Sequence, residues 1–177
     1  MMNKKDQVKE PAADNNDTKQ IVVFKLGEEE YGLSIDQIKE VVITPNITRM
    51  PQTPSFVKGV ANIRGNIIAI LDLEDKFGLV RSVGTSNRDN NYTLVIESDE
   101  YKMGILVREV PNTLSVSLAS IENSIFTGDQ QSEQSYITGI IKLNKRLIIM
   151  IDIFKVINEQ EAHQLFKREN LHESGHE

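Results

Sequence analysis

Cysteine and tryptophan are absent from this 177-residue chain. Without thiols there are no disulfides and no thiolate nucleophiles, and zinc centres of the usual cysteine-rich kind are excluded. Histidine is scarce: His163, His172 and His176 are the only three, all close to the C-terminus. A general base belongs in a dry, positioned site, so their location speaks against catalysis. His172 and His176 stand four apart, a spacing that can chelate metal on a helix, but in a frayed tail it carries no weight and no metal site is expected. No phosphate-binding loop, dinucleotide fingerprint or nucleophile elbow occurs, so neither a cofactor nor an enzymatic activity is expected. No apolar run approaches the ~20 residues that cross a bilayer, and the N-terminus lacks the apolar stretch of a secretory signal, so the expectation is a soluble, cytoplasmic protein. An excess of cations is missing too. A net charge of −6 argues against a dedicated nucleic-acid or anionic-membrane surface.

What is present begins with polar ends. Residues 1–19 are charged, amide-rich and nearly devoid of large apolar side chains, which predicts a disordered leader. At the other end Asn158-Glu159-Gln160-Glu161 has the form of a capping box. A short amphipathic helix carrying Ala162, Leu165 and Phe166 should follow, ending near Leu171 in a frayed tail.

Between the ends the chain repeats itself. YITGIIKLNKRLIIMIDIFKVI from Tyr136 lies over FVKGVANIRGNIIAILDLEDKF from Phe56 without a gap, a shift of 80 that sets Gly139 on Gly59 and Asp152 on Asp72. LVIESDEYKMGILV from Leu94 lies over VVFKLGEEEYGLSI from Val22, a shift of 72 that sets Gly104 on Gly32. Each half therefore reads as a strand pair, a connector and a hairpin. So long a period means two similar lobes, not a solenoid. First-lobe motifs fall at about 20–80 and second-lobe motifs at about 91–157, with exchange of strands between the lobes left open.

In order, Ile21–Leu26 and Tyr31–Ser34 are expected strands around a turn at Gly27–Glu30. Ser34 or Asp36 would cap a single helical turn through Ile38, and Val41–Ile43 would be extended. Strands at about Lys58–Ile63 and Ile67–Leu73 form a hairpin, the second apolar enough to be covered on both faces. Lys76–Asn91 is the polar boundary loop, Tyr92–Glu97 and Tyr101–Val107 the next strand pair, Val116–Ile121 a connector and Gly128–Ser135 a polar loop. Many short strands with little helical periodicity predict an all-β fold of two small barrels sharing a core, with a short C-terminal helix. Asp72 and Asp152, tempting as paired carboxylates, sit at matched strand ends and should cap the turns that follow.

One residue resists a scaffold explanation. Gly65 suits the hairpin turn because it tolerates positive φ, but Arg64 beside it does nothing for the turn. The second copy manages with Leu143-Asn144-Lys145-Arg146. If Arg64 meets Glu40, which follows the apolar turn Ile35–Ile38, a bidentate bridge would fix the tip. Ile35, Ile38 and Val42 either line a groove for a partner's amphipathic helix or belong to the core.

With VVFKLGEEEYGLSIDQIKEVV, the Thr48-Arg49 segment and TPSFVKGVANIRGNIIAILDLEDKFGL in view, the chain resembles the CheW family of bacterial chemotaxis adaptors. The likeness is strong from about Gln20 to Leu79 and collinear from Tyr92 to Ile157. It implies two SH3-like lobes and a non-enzymatic bridge between the cytoplasmic tips of methyl-accepting chemotaxis receptors and the histidine kinase CheA. By motif position Ile35, Ile38, Glu40, Arg64 and Gly104 would lie in or beside the groove that takes the receptor tip. Lys58 and Gly59 would lie where the regulatory domain of CheA binds. Where the family often has Val-Asp after the strand carrying Gly104, this chain has Val107-Arg108-Glu109. A paralogue serving surface motility or development is the alternative within the family; a small-barrel nucleic-acid binder is the alternative outside it, and acidity and lack of tryptophan speak against it. The expected length is that of the adaptor domain alone, without the receiver of a CheV fusion.

Overall fold

The computed structural model describes residues 17–79, 91–122 and 136–157 together with Glu161. β1 (Thr18–Leu26) and β2 (Glu29–Ser34) form a hairpin around Gly27, which takes a φ of 60°. A 3-10 turn at Ile35–Gln37 leads into β3 (Ile38–Ile43). β4 (Val57–Ile63) and β5 (Asn66–Leu71) make a second hairpin, followed by a single helical turn, α1 (Leu73–Lys76). β6 (Tyr92–Glu97) pairs with β7 (Lys102–Val107). Then come β8 (Asn112–Ser117), a 3-10 turn at Leu118–Ser120 and the two-residue β9 (Ile121–Glu122). β10 (Ile137–Leu143), β11 (Arg146–Ile151) and α2 (Ile153–Val156) repeat the plan of β4, β5 and α1. The protein is mainly β, as the strand pattern predicts.

The sheets do not follow the halves of the sequence. One has the order β8-β1-β2-β11-β10-β9 and the other β3-β6-β7-β5-β4. Each half lends its opening strand pair to the hairpin of the other half. The joints are the two parallel pairings, β2 with β11 and β5 with β7. Strands β3 to β7 thus form one lobe from a continuous run, and the two ends of the body form the second.

Alternation along the central strands explains how two lobes share a core. On β5, Ile68 and Ile70 face the interior of the first lobe with Ala61, Ile63, Val95 and Leu106. Ala69 and Leu71 point the other way, into a seam with Phe24, Leu33, Met103, Ile105 and Ile151 drawn from both sheets. On β11, Ile148 and Met150 fill the second lobe with Ile21, Val23, Val116 and Ile141. Strands buried on both faces read as unbroken apolar runs, which is what IIAIL and LIIMI are.

Several local expectations are corrected. β1 begins at Thr18, opposite Ser117, so Thr18 and Lys19 belong to the body and not to the leader. β2 begins at Glu29, leaving a tighter turn than Gly27–Glu30. Ser34 occupies the position before the 3-10 turn but does not cap it; its hydroxyl donates to Asp36 instead, and Ile38 already belongs to β3. The expected connector at Val116–Ile121 is the end of β8, a 3-10 turn and β9. β8 is an edge strand in which only Val116 is buried and Leu114 half-buried. Asp72 and Asp152 do cap: the first accepts from the backbone N–H of Glu74 and Asp75, the second from that of Phe154. The C-terminal helix and the Gly128–Ser135 loop fall outside the described residues, apart from Glu161.

Candidate functional site

The tip of the β4–β5 hairpin turns at Arg64 and Gly65, with φ of 51° and 83°. The Gly65 N–H donates to Asn62 Oδ1 at 2.9 Å, which sets the turn. A left-handed backbone suits Gly and is tolerated by Asn, but costs an ordinary residue ~1–2 kcal/mol. In the twin hairpin the matching position is Asn144, at a φ of 52°. The backbone demand is the same at both tips, and only this one meets it with arginine.

Arg64 does meet Glu40, though not as a fork. Its Nε alone donates to both carboxylate oxygens, at 3.0 and 2.7 Å. The two terminal amino groups have no partner among the described residues, and the side chain is 73% exposed against 18% for Glu40. Glu40 reaches this position because β3 carries a register shift between Ile38 and Glu40. Its inward residues are Ile38, Glu40 and Val42; its outward residues are Lys39, Val41 and Ile43. The result is a guanidinium held by its inner nitrogen with its outer donors open to water, near a strand that exposes Val41 and Ile43. Ile67, just past the turn, is exposed as well.

The other expected site residues divide. Ile35 is half-buried on the 3-10 turn, and Ile38 packs against the shared seam. Val42 packs against the interior of the first lobe, which makes it core. Lys58 is tied down: its ammonium donates to the Ser55 carbonyl at 3.2 Å and to Asp75 at 3.1 Å, with Asp72 at 3.9 Å. Gly59 is buried at a φ of 142°, and a Cβ there would collide with the Thr48 carbonyl. That close approach lets Thr48 exchange both backbone hydrogen bonds with Val60. Gly104 faces the inside of the first lobe, where a Cβ would meet Ile70 Cδ1 and Thr93 Cγ2 at 2.7 Å. Both glycines shape the fold around the tip; neither presents a surface of its own.

Arg146 at the turn of the second copy is a site residue that turn chemistry alone does not reveal. Its Nε and Nη2 donate to the two oxygens of Glu30 at 3.0 and 2.8 Å, a true fork across β11 and β2. The Arg146 hydrogen bond and charge hold the Glu30 carboxyl below the usual carboxylate range against the opposing effect of burial. An arginine at each hairpin tip with a glutamate on a neighbouring strand was the available signal. The pair also sharpens the contrast between tips: Arg146 has spent its fork inside the protein, and Arg64 has kept its outer donors free.

Among the described residues no group of three or more His, Asp or Glu side chains could hold a metal ion, and no helix is long and apolar enough to cross a membrane. The structure is a pair of β lobes sharing one core, with an arginine-tipped hairpin exposed on the first lobe. The chain belongs to the CheW family: the CheW-like domain matches residues 20–161. It is 34% identical over 143 residues to the chemotaxis protein CheW of Klebsiella aerogenes, covering 80% of this chain and 83% of the relative. It is 29% identical to that of Treponema pallidum, over 88% and 91% of the two chains. The crystal structure of the scaffolding protein TtCheW from Thermoanaerobacter tengcongensis superposes with a TM-score of 0.68 at 33% identity, covering 81% of this chain and 94% of that one.

Proposed function

We propose that this protein is a non-enzymatic adaptor coupling the cytoplasmic tips of methyl-accepting chemotaxis receptors to the histidine kinase CheA, recruited to receptor arrays at the inner membrane face. The observation that carries the reading is the state of Arg64: a left-handed backbone that its twin fills with Asn144, one nitrogen tethered to Glu40, and outer donors facing water. Such a group is pre-oriented for a carboxylate or carbonyl of another chain, because tethering removes much of the entropy that binding would otherwise cost. Ile35, Ile38 and Glu40 stand along the crossover between the lobes, where a helical receptor tip would lie with apolar residues at helical spacing. The CheA regulatory domain would take a lobe face beside Lys58, with Gly59 and Gly104 acting through packing.

An adaptor without chemistry works by holding partners at fixed spacing, and it transmits a signal only if its contacts differ between their states. The test is co-sedimentation with a membrane-templated receptor cytoplasmic fragment and CheA. Wild-type protein should bring the kinase into the pellet and raise its activity. A folded protein that leaves CheA in the supernatant at every receptor density would overturn the reading.

A further inference from the structure

Glu74 is almost fully buried on α1, in the first lobe, and its two oxygens point at two different structures. Oε1 accepts from the backbone N–H of Gly27 at 3.0 Å, the tip of the β1–β2 hairpin of the second lobe. Oε2 accepts from Arg108 Nη2 at 2.7 Å. Arg108 is the first residue after β7, where the chain leaves the first lobe for β8 in the second. It is also the residue at which this sequence departs from the Val-Asp often found there.

The placement is mechanical. The lobes are joined covalently at two crossovers, Ser34 to Ile38 and Val107 to Asn112. The first begins at Ser34, at one end of β2, and Gly27 lies just beyond the other end, seven residues away, or roughly 23 Å at strand rise. The shared seam packs the lobes together along β2, and apolar packing is not directional. A hydrogen bond at the end of β2 far from the crossover adds a directional constraint, and a carboxylate acceptor makes it a strong one. Arg108 holds the carboxylate aimed. Beside it Phe77 slots between Tyr31 and Tyr136 of the second lobe, with ring centroids at 5.8 and 5.0 Å.

We infer that Glu74, gripped by Arg108, is a positioning residue that fixes the angle between the lobes. The consequence for binding rests on the adaptor reading above: the lock governs the partner that sits between the lobes and leaves the partner on a lobe face untouched.

The absence of cysteine makes the test direct. Spin labels at Lys142→Cys and Glu100→Cys, exposed positions in different lobes, report the inter-lobe distance distribution of the full chain. Glu74→Gln keeps an amide oxygen for the Gly27 N–H, so the distribution should stay narrow. Glu74→Met with Arg108→Met replaces the ion pair by apolar groups of similar length, a change that buried pairs often tolerate, and removes the acceptor. That variant should fold and show a broadened distribution. Its affinity for a receptor fragment should fall ~2–30-fold while its affinity for the CheA regulatory domain is unchanged. Narrow distributions in both variants, broad ones in both, or loss of cooperative folding in the double variant would each overturn the inference. If wild-type protein binds neither partner while the distances behave as described, the adaptor reading fails and the lock stands.

Discussion

Replacing Arg64 by asparagine copies the twin tip into the first one and separates fold from function at a single position. Two effects on stability oppose each other. The left-handed backbone costs an arginine ~1–2 kcal/mol, of which asparagine recovers a part. The lost pair with Glu40 is worth ~0–1 kcal/mol, because the Arg64 side chain is 73% exposed and water screens it. The Gly65–Asn62 hydrogen bond that sets the turn is untouched. The net change should lie within about 1 kcal/mol, a shift of no more than about 2–4 °C in the melting temperature of a domain this size. Receptor-stimulated kinase activity should nonetheless fall by at least about tenfold, since a desolvated, charge-assisted contact is worth ~1.5–3 kcal/mol. Thermal unfolding and kinase activation measured on the same preparation decide the matter. A loss of more than about 2 kcal/mol in stability would make Arg64 a structural residue, and full activation by the asparagine variant would remove it from the interface.

Gly59→Ala should destabilise by about 3 kcal/mol or more, because a Cβ there meets the Thr48 carbonyl, a backbone atom that cannot move aside, at a φ that L-residues rarely adopt. Denaturant unfolding checks this, and a wild-type midpoint would show that Thr48 does not lie over β4. Gly104→Ala should cost less, ~1–3 kcal/mol, because the obstacles are the methyl ends of Ile70 and Thr93; melting temperature is again the readout. Glu30→Gln tests the second tip through pH. The folded Glu30 carboxyl lies below its ordinary value, so its stabilising contribution is fully present above that value, near 4.3, and is lost as pH falls through the lowered folded one. The stability gap between wild type and Glu30→Gln should be constant above about pH 5 and close under acid. A gap that does not change with pH would mean that the Arg146 fork does not form.

The elements whose residues had to be apolar on both faces were legible in the sequence, because nothing else produces runs such as IIAIL and LIIMI. So were the caps at Asp72 and Asp152, short-range consequences of a repeated phrase set beside its copy. The pairing of Arg64 with Glu40, 24 residues away, stood only as a condition, and it forms through Nε alone in place of the fork. β8 carries a weaker signal: Leu114 and Val116 alternate with Thr113, Ser115 and Ser117, but two apolar residues in six, at a sheet edge, make a short pattern. Gly104 and Gly59 were legible as special positions but not as packing positions, since a missing Cβ declares its neighbour only in three dimensions. Val42 stayed open between groove and core, and Arg146 went unread, for one reason. Burial of the first and pairing of the second depend on which strand stands alongside, and pairing partners 116 residues apart, such as Arg146 and Glu30, leave no local trace.

The exchange of strand pairs bears on how such a domain carries a signal. Were each half a lobe, the protein would be two barrels on a tether, and a push on one would be lost in the linker. Here β2 lies between β1 and β11, and β7 between β6 and β5, so each sheet is completed only by strands from the other half. Residues of both sheets meet in the seam around Leu33, Leu71, Met103 and Ile151, so separating the lobes would expose an apolar core and not a polar interface. Close-packed cores are bistable and not continuously deformable. A displacement imposed at the crossover Ser34–Ile38 therefore reaches the β4–β5 tip as movement of a connected body, with Glu40 on β3 and Arg64 on the tip fastened to one another along the way. That fastening is weak as a source of stability and well placed as a link, because it joins the strand that begins at the crossover to the hairpin farthest along the lobe.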